Sequence, residues 1–276
     1  MTMPRTLTKL RHGESEGNFA KRAFEQGTPI LGEEALMAVH TSERRLTKRG
    51  IEQAKAAGAW LRENWYDPEL DKAGLQRMYV SPYARAMETA GHLGFGTDWR
   101  PDARIVERNW GEFDQMPYGD RLRLFEEQLQ LRKNYAFYWR PTNGETFQDV
   151  FNRLRDLLGT LHRECSNMDV LEVSHGETMW VGRDVVEKLM PQELRDELMN
   201  QTDQTRIHNC RIIQYTRQCE DGSWSERLER MRFISPERAD DPKFNTSWLP
   251  IKRKKWSHQD LLDYVGELPT FIPEAA

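Results

Sequence analysis

Arg11, His12 and Gly13 stand side by side near the amino terminus, ahead of the polar run Glu14, Ser15, Glu16, Gly17 and Asn18. A neutral imidazole can attack phosphorus and carry the phosphoryl group as a covalent intermediate, provided positive charge lies close by. Arg11 brings that charge next to the ring. Gly13 has no Cβ, so the chain can turn sharply and bring its N–H groups toward an anion, while Glu14, Ser15 and Glu16 suit the first turn of a helix. The tripeptide alone also fits an ordinary surface turn. Two further segments give it weight. Ser81 and Pro82 close one strand pattern and open a helix that predicts Arg85 about one turn inside, its guanidinium free to fork across two phosphate oxygens. Val170, Leu171 and Val173 lead into His175 and Gly176, an imidazole at a strand exit that can donate to the same group.

In this order the three segments resemble the histidine phosphatase superfamily, its phosphoglycerate mutase-like branch in particular. Leu46, Thr47, Gly50, Gln53 and Ala54 resemble the helix after the first motif, and Ile105 through Glu107, Arg108, Asn109, Trp110 and Gly111 resemble the proton-donor loop. Pro141 to Thr146, with Asp149 and Arg153, resembles the segment before the last strand, so the matches span about residues 5–215. Ser81, Pro82 and Tyr83, Asn109 to Phe113, and the Tyr138 to Pro141 approach to Gly144 and Glu145 are similar to plant and fungal phosphoglycerate mutase-like proteins.

The resemblance implies a two-step route. His12 attacks, a phosphohistidine forms, and an acceptor removes the phosphoryl group; Arg11, Arg85 and His175 neutralise the equatorial oxygens. Gly13, Ser15, Asn18 and Gly176 are the remaining binding candidates. Glu107 is the implied acid and base, with Glu112 five positions on as the rival carboxyl. Water as acceptor makes the chain a phosphoric monoester hydrolase acting on a small phosphorylated metabolite; a second hydroxyl of the same molecule makes it a mutase. A silent member that binds phosphorylated ligands is the third reading. No metal or cofactor is implied, since side chains supply the positive charge and His92, His162, His208 and His258 lack ligand spacing.

These groups need a scaffold that brings distant segments together. Strand patterns at 6–10, 78–80, 170–174 and 211–216 alternate with helical patterns at 47–64, 82–92, 146–164 and 177–189. Such alternation predicts an α/β fold with a mainly parallel central sheet, helices on both faces and the site at the strands' carboxyl ends. The first strand is unusually polar, so Lys9 is expected to snorkel out unless the sheet is less covered there. Segments 19–45, 115–140 and 193–208 are expected to set substrate choice; a helical run at 122–129 within 115–134 could cap the site, and aromatics at 135–140 could pack or line it.

Residues 1–234 are read as the phosphatase-like domain and 235–276 as an extended, proline-containing arm that packs on it or is partly flexible, ending in a small helix at 260–265. Its basic run, Lys252 to Lys255, reads as solvated surface. Among the 276 residues, 40 Lys and Arg face 44 Asp and Glu, a net charge of -4 that gives no general reason to expect nucleic acid or membrane as partner. The three cysteines, without metal spacing, and the absence of an apolar leader-like segment point to a cytoplasmic protein.

Overall fold

The structure, a computed structural model, describes residues 1–28, 30–67, 72–73, 76–95 and 98–270; the last six residues of the arm, 271–276, lie outside the described residues. In chain order the elements are β1 (Thr6–Arg11), α1 (Glu16–Glu25), α2 (Glu33–Ala38), α3 (Lys48–Trp65), β2 (Arg77–Val80), α4 (Ala84–His92), β3 (Trp99–Pro101), α5 (Tyr118–Leu124), α6 (Glu126–Asn134), α7 (Phe147–Glu164), β4 (Asp169–Ser174), α8 (Gly176–Glu187), α9 (Pro191–Met199), β5 (Ile212–Thr216), β6 (Arg230–Ile234), β7 (Leu249–Pro250) and α10 (His258–Gly266). These seven strands form one sheet in the order β3, β2, β4, β1, β5, β6, β7, and among the described residues a separate antiparallel ribbon pairs Tyr66–Asp67 with Lys72–Ala73. Pairing is parallel from β3 through β1 and antiparallel from β1 through β7. Helical crossovers build the parallel core, and the chain's last strands, joined without α-helices, extend it antiparallel.

Two apolar layers cover the sheet. Leu7, Val170, Ile213 and Tyr215 pack beneath α7 and α8, whereas Leu10, Leu171, Val173, Met78 and Val80 pack beneath α3 and α4. Helix α7 shows why such a segment docks: Val150, Leu154, Leu157 and Leu161 recur along one face and are all buried. Thr146 and Asp149 close its first turn as a reciprocal cap, donor and acceptor each satisfied.

Lys9 neither snorkels out nor marks an uncovered sheet. It is 6% exposed, and its ammonium lies 2.5 Å from Glu172 Oε2 on the neighbouring parallel strand, under the helix that carries Gly182. The register sets Lys9 directly opposite Glu172, so the polar residue is accommodated by a paired charge inside the layer. Sequence patterns also misplace three other features. Helix α4 begins at Ala84 after an extended Tyr83, so Arg85 sits in its first turn rather than one turn inside. The 122–129 run breaks at Phe125 (φ -129°), which turns its ring onto Phe113 at 4.7 Å and splits the insert into α5 and α6. In the basic run, Lys252, Lys254 and Lys255 are exposed as expected, but Arg253 is not free in solvent and donates to the carbonyls of Val186 and Leu228; the arm packs on the sheet, where β7 pairs with β6.

Gly13 and Gly50 let two backbones touch: a Cβ on either would run into the other segment, Gly13 against the Gly50 carbonyl and Gly50 against the Glu14 carbonyl. Neither obstacle is a movable side chain. Gly50→Ala is therefore expected to cost about 2 kcal/mol or more of stability, read as a lowered midpoint in urea or thermal unfolding; an unchanged midpoint would show that the segments part freely.

Candidate active site

The carboxyl ends of β1 and β4 place the two histidines. His12 follows β1 directly, and its backbone N–H donates to the Ser174 carbonyl at 3.0 Å, which locks the first motif to the third. His175, next after Ser174, caps α8, and the two rings lie 5.1 Å apart, centroid to centroid. Both are buried. Ser15 caps α1 in a reciprocal box with Asn18, so the first motif is a strand, a tight turn and a helix in succession.

His12 Nδ1 sits 2.6 Å from the Gly13 carbonyl, a contact that fixes the proton on Nδ1 and leaves the lone pair on Nε2. Arg85 Nε donates to that Nε2 at 3.2 Å. Burial, then the charges of Arg85 and Arg11, push the His12 imidazole well below its usual range, so it is neutral at neutral pH. His175 Nε2 lies 2.7 Å from Ser81 Oγ, which also accepts from the Tyr83 N–H. Ser81 Oγ already accepts from Tyr83, and in the tautomer where its own proton goes to Nε2 the ring proton resides on Nδ1, a buried atom with no protein partner. Burial and Arg85 hold this imidazole, too, well below its usual range.

Arg11, the last residue of β1, donates through Nη1 to the Ile207 carbonyl at 2.8 Å, while its buried Nε has no partner. Glu107 is held on one side only: its Oε1 accepts from the Arg108 N–H at 3.1 Å and from both the N–H and hydroxyl of Thr178 at 3.2 Å. Burial, then the neighbouring charge of Glu177, raise its pKa above the usual carboxylate range, against the pull of Arg85, the Arg108 N–H and Arg11. Glu177 itself is committed to Arg132 and Arg108.

A cavity of about 370 Å³ is lined by Arg11, His12, Ser15, Asn18, Arg85, Glu107 and Gly176, while His175, fully buried, does not line it and reaches it only by packing against the His12 ring. Asn18 Oδ1 accepts from the Ser15 N–H and from Asn209, which leaves its amide N–H groups for a ligand. Gly13 is different. Its N–H donates to Thr89 Oγ1 at 3.0 Å and it does not line the cavity, so its part is the close approach to Gly50, not contact with an anion. Glu112, the rival carboxyl, is partnered by Asn143 away from the cavity.

Several lining residues escape the sequence reading, among them Arg44, Asp114, Tyr118, Arg121, Arg132 and Gln201. Nearly all come from segments expected to set substrate choice, yet no local pattern distinguishes a cavity arginine from a surface one. The insert contributes wall through Tyr118, Arg121 and Arg132, while the buried Trp139 packs on Phe113 and, with Trp110 and Phe147, faces the guanidinium of the 1% exposed Arg108. Among the described residues, no cluster of three or more His, Cys, Asp or Glu could hold a metal, and no helix is long and apolar enough to cross a membrane.

The profile of the histidine phosphatase superfamily (branch 1) matches residues 7–220. Similar proteins include the phosphoglycerate mutase-like protein AT74 of Arabidopsis thaliana, 28% identical over 193 residues that cover 64% of this chain and 55% of the relative. The 6-phosphofructo-2-kinase/fructose-2,6-bisphosphatase of Caenorhabditis elegans is 26% identical over 83% of this chain and 45% of its own length, so the chain spans about half of each of these two relatives. A mycobacterial glucosyl-3-phosphoglycerate phosphatase has the same fold, with a TM-score of 0.60 and 22% identity over 76% of this chain and 92% of that one.

Proposed function

The chain belongs to the histidine phosphatase superfamily, branch 1, and from that premise we propose that it is a phosphoric monoester hydrolase working through a phosphohistidine at His12 on a small phosphorylated metabolite. One observation carries the reading: the unprotonated Nε2 of a neutral, Nδ1-anchored His12 shares a cavity with the guanidinium groups of Arg11 and Arg85 and a buried carboxyl of raised pKa.

On substrate entry, Arg85 passes its N–H from His12 Nε2 to a phosphoryl oxygen, which frees the lone pair and offsets charge in one movement. Nε2 attacks phosphorus and the ester P–O bond breaks. Glu107 gives its proton to the departing oxygen, because an alkoxide is otherwise a poor leaving group. Arg11, Arg85 and the Nδ1–H of His175 hold the three equatorial oxygens, with the Asn18 amide and the Gly176 N–H at the first turn of α8 as further donors. In the second half, Glu107, now a carboxylate, takes a proton from water, whose oxygen bonds phosphorus. The P–N bond breaks with its electrons returning to Nε2, inorganic phosphate leaves, and Glu107 is again protonated.

We assign residues 1–234 to the catalytic domain and 235–276 to the arm. The three cysteines are free thiols, in keeping with a cytoplasmic setting. The test is release of phosphate from p-nitrophenyl phosphate, expected to be blocked by vanadate and unaffected by EDTA, since side chains supply the cationic charge. No release would overturn the hydrolase reading, and interconversion of 2- and 3-phosphoglycerate without net phosphate release would replace it with a mutase.

A further inference from the structure

Beside the catalytic cavity lies a second, of about 580 Å³, sharing Arg11, Lys21 and Gln201 with it as a common wall. Cationic side chains around it outnumber carboxylates six to three. The carboxylates are engaged: Glu14 with Arg22 and Thr47, Glu25 with Lys21, and Glu237 with the Gln53 amide. The side chains of Arg49 and Arg206 instead make no ion pair or hydrogen bond among the described residues, and Arg238 lies over the Phe244 ring without a carboxylate. Arg49 stands in the first turn of the 18-residue α3, a turn without acidic residues, where the helix dipole already favours an anion. Two further polar atoms point the same way. His208 Nε2, from a residue lining only this cavity, is buried without a partner, and so is Nε of the shared Arg11, which lies on the Gly176 side of the common wall. Burial, then Arg211, Arg206, Arg11 and Arg238, pushes the His208 imidazole down to about 4, so at neutral pH it is uncharged and able to accept or donate a hydrogen bond.

We propose that this second cavity is an anion site that binds a phosphoryl-class dianion, through Arg49 and Arg206 at the mouth and Arg11 at the wall it shares with the catalytic site. The catalytic cavity offers fewer free N–H donors for such a group, because Arg44 donates to backbone carbonyls, Arg121 donates to the Met116 carbonyl and Arg132 is paired with Glu177. Spaced guanidinium groups match phosphate oxygens by paired N–H donors, and Arg11 lets occupancy of one cavity be felt in the other. The dianion comes either from a second phosphate of the substrate itself, which rests on the hydrolase reading above, or from a separate polyanion.

The experiment is calorimetric titration of pyrophosphate into enzyme saturated with vanadate, so that the catalytic cavity is filled, and in parallel into Arg85→Ala, where it is crippled. Binding is expected in both, and at least 10-fold weaker in Arg49→Gln/Arg206→Gln, whose two positions are exposed and outside the catalytic machinery. No binding in either form, or equal affinity in the double variant, would overturn the site. Kinetics of the double variant separate the sources. A KM raised at least 10-fold for a sugar bisphosphate, with the matching monophosphate unchanged, identifies the substrate's own second phosphate. Unchanged KM for both, together with loss of any pyrophosphate effect on p-nitrophenyl phosphate turnover, identifies a separate ligand. Because the titration measures binding alone, inactivity toward p-nitrophenyl phosphate would count against the hydrolase and leave the second site to be decided by Arg85→Ala.

Discussion

His12→Ala is expected to lower turnover by at least about 10³-fold on every phosphate ester and to abolish covalent labelling by ³²P-substrate. The geometry leaves no substitute nucleophile. His175, 5.1 Å away between ring centroids, has its Nε2 held by Ser81 and its Nδ1 in the protonated form, so it presents a donor where attack needs a lone pair. The loss should be one of chemistry and not of folding, since the main contacts of the His12 backbone, its N–H to Ser174 and its carbonyl to Asn209, remain in the variant. The measurement is rapid mixing with labelled substrate, an alkaline quench that preserves the acid-labile P–N bond, and counting of protein-bound label alongside a melting curve. Label retained by a folded His12→Ala would place the nucleophile elsewhere.

Much of this site is legible in the sequence because its key residues sit at strand exits, where local pattern and chemistry coincide. Alternating apolar residues announce β4, and residues just past a strand's carboxyl end in an α/β sheet face the crevice, so His12 and His175 stand out once the arginine-bearing and glycine-bearing segments are read together. The helices that read well, α3, α4, α7 and α8, carry apolar residues at helical spacing, and their ends fall within a few residues of the pattern. The features that escape depend on pairing across the fold. Lys9 looks wrong for a buried strand until Glu172 is known to lie opposite it, a relation 163 residues apart in the chain. Gly13 looks like an anion cradle by itself, but its reason for lacking a side chain is Gly50. Phe125 breaks a good helical run because Phe113 offers its ring a place, and tertiary packing overrides the local preference. Arg44 and Arg132 have no local mark at all; only the path of the connecting segments brings them to the wall.

The carboxyl partner is where sequence and geometry separate most usefully, because Glu107 and Glu112 are near neighbours and only one enters the cavity. Glu107→Gln is expected to reduce kcat on an alkyl phosphate by about 10²- to 10⁴-fold, the usual worth of a positioned proton donor. Aryl phosphates, whose phenolate leaves without help, should lose far less in the first step. The sign of the pH effect comes from the raised pKa. Burial and Glu177 favour the neutral carboxyl, so Glu107 keeps its proton to higher pH than an exposed glutamate and loses it as pH rises, which takes away the acid the alkyl substrate needs. His12 acts at the other end, since its lowered pKa keeps Nε2 unprotonated until the solution is well below pH 6.5. Turnover of the alkyl substrate should therefore fall on the alkaline side in the native enzyme, and in Glu107→Gln that fall should flatten toward the profile set by the substrate's own ionisation, at about pH 6 for a monoester. A Glu107→Gln enzyme that retains full activity on the alkyl phosphate, beside an inactive Glu112→Gln, would transfer the role to Glu112 and require the 105–111 loop to rearrange on binding substrate.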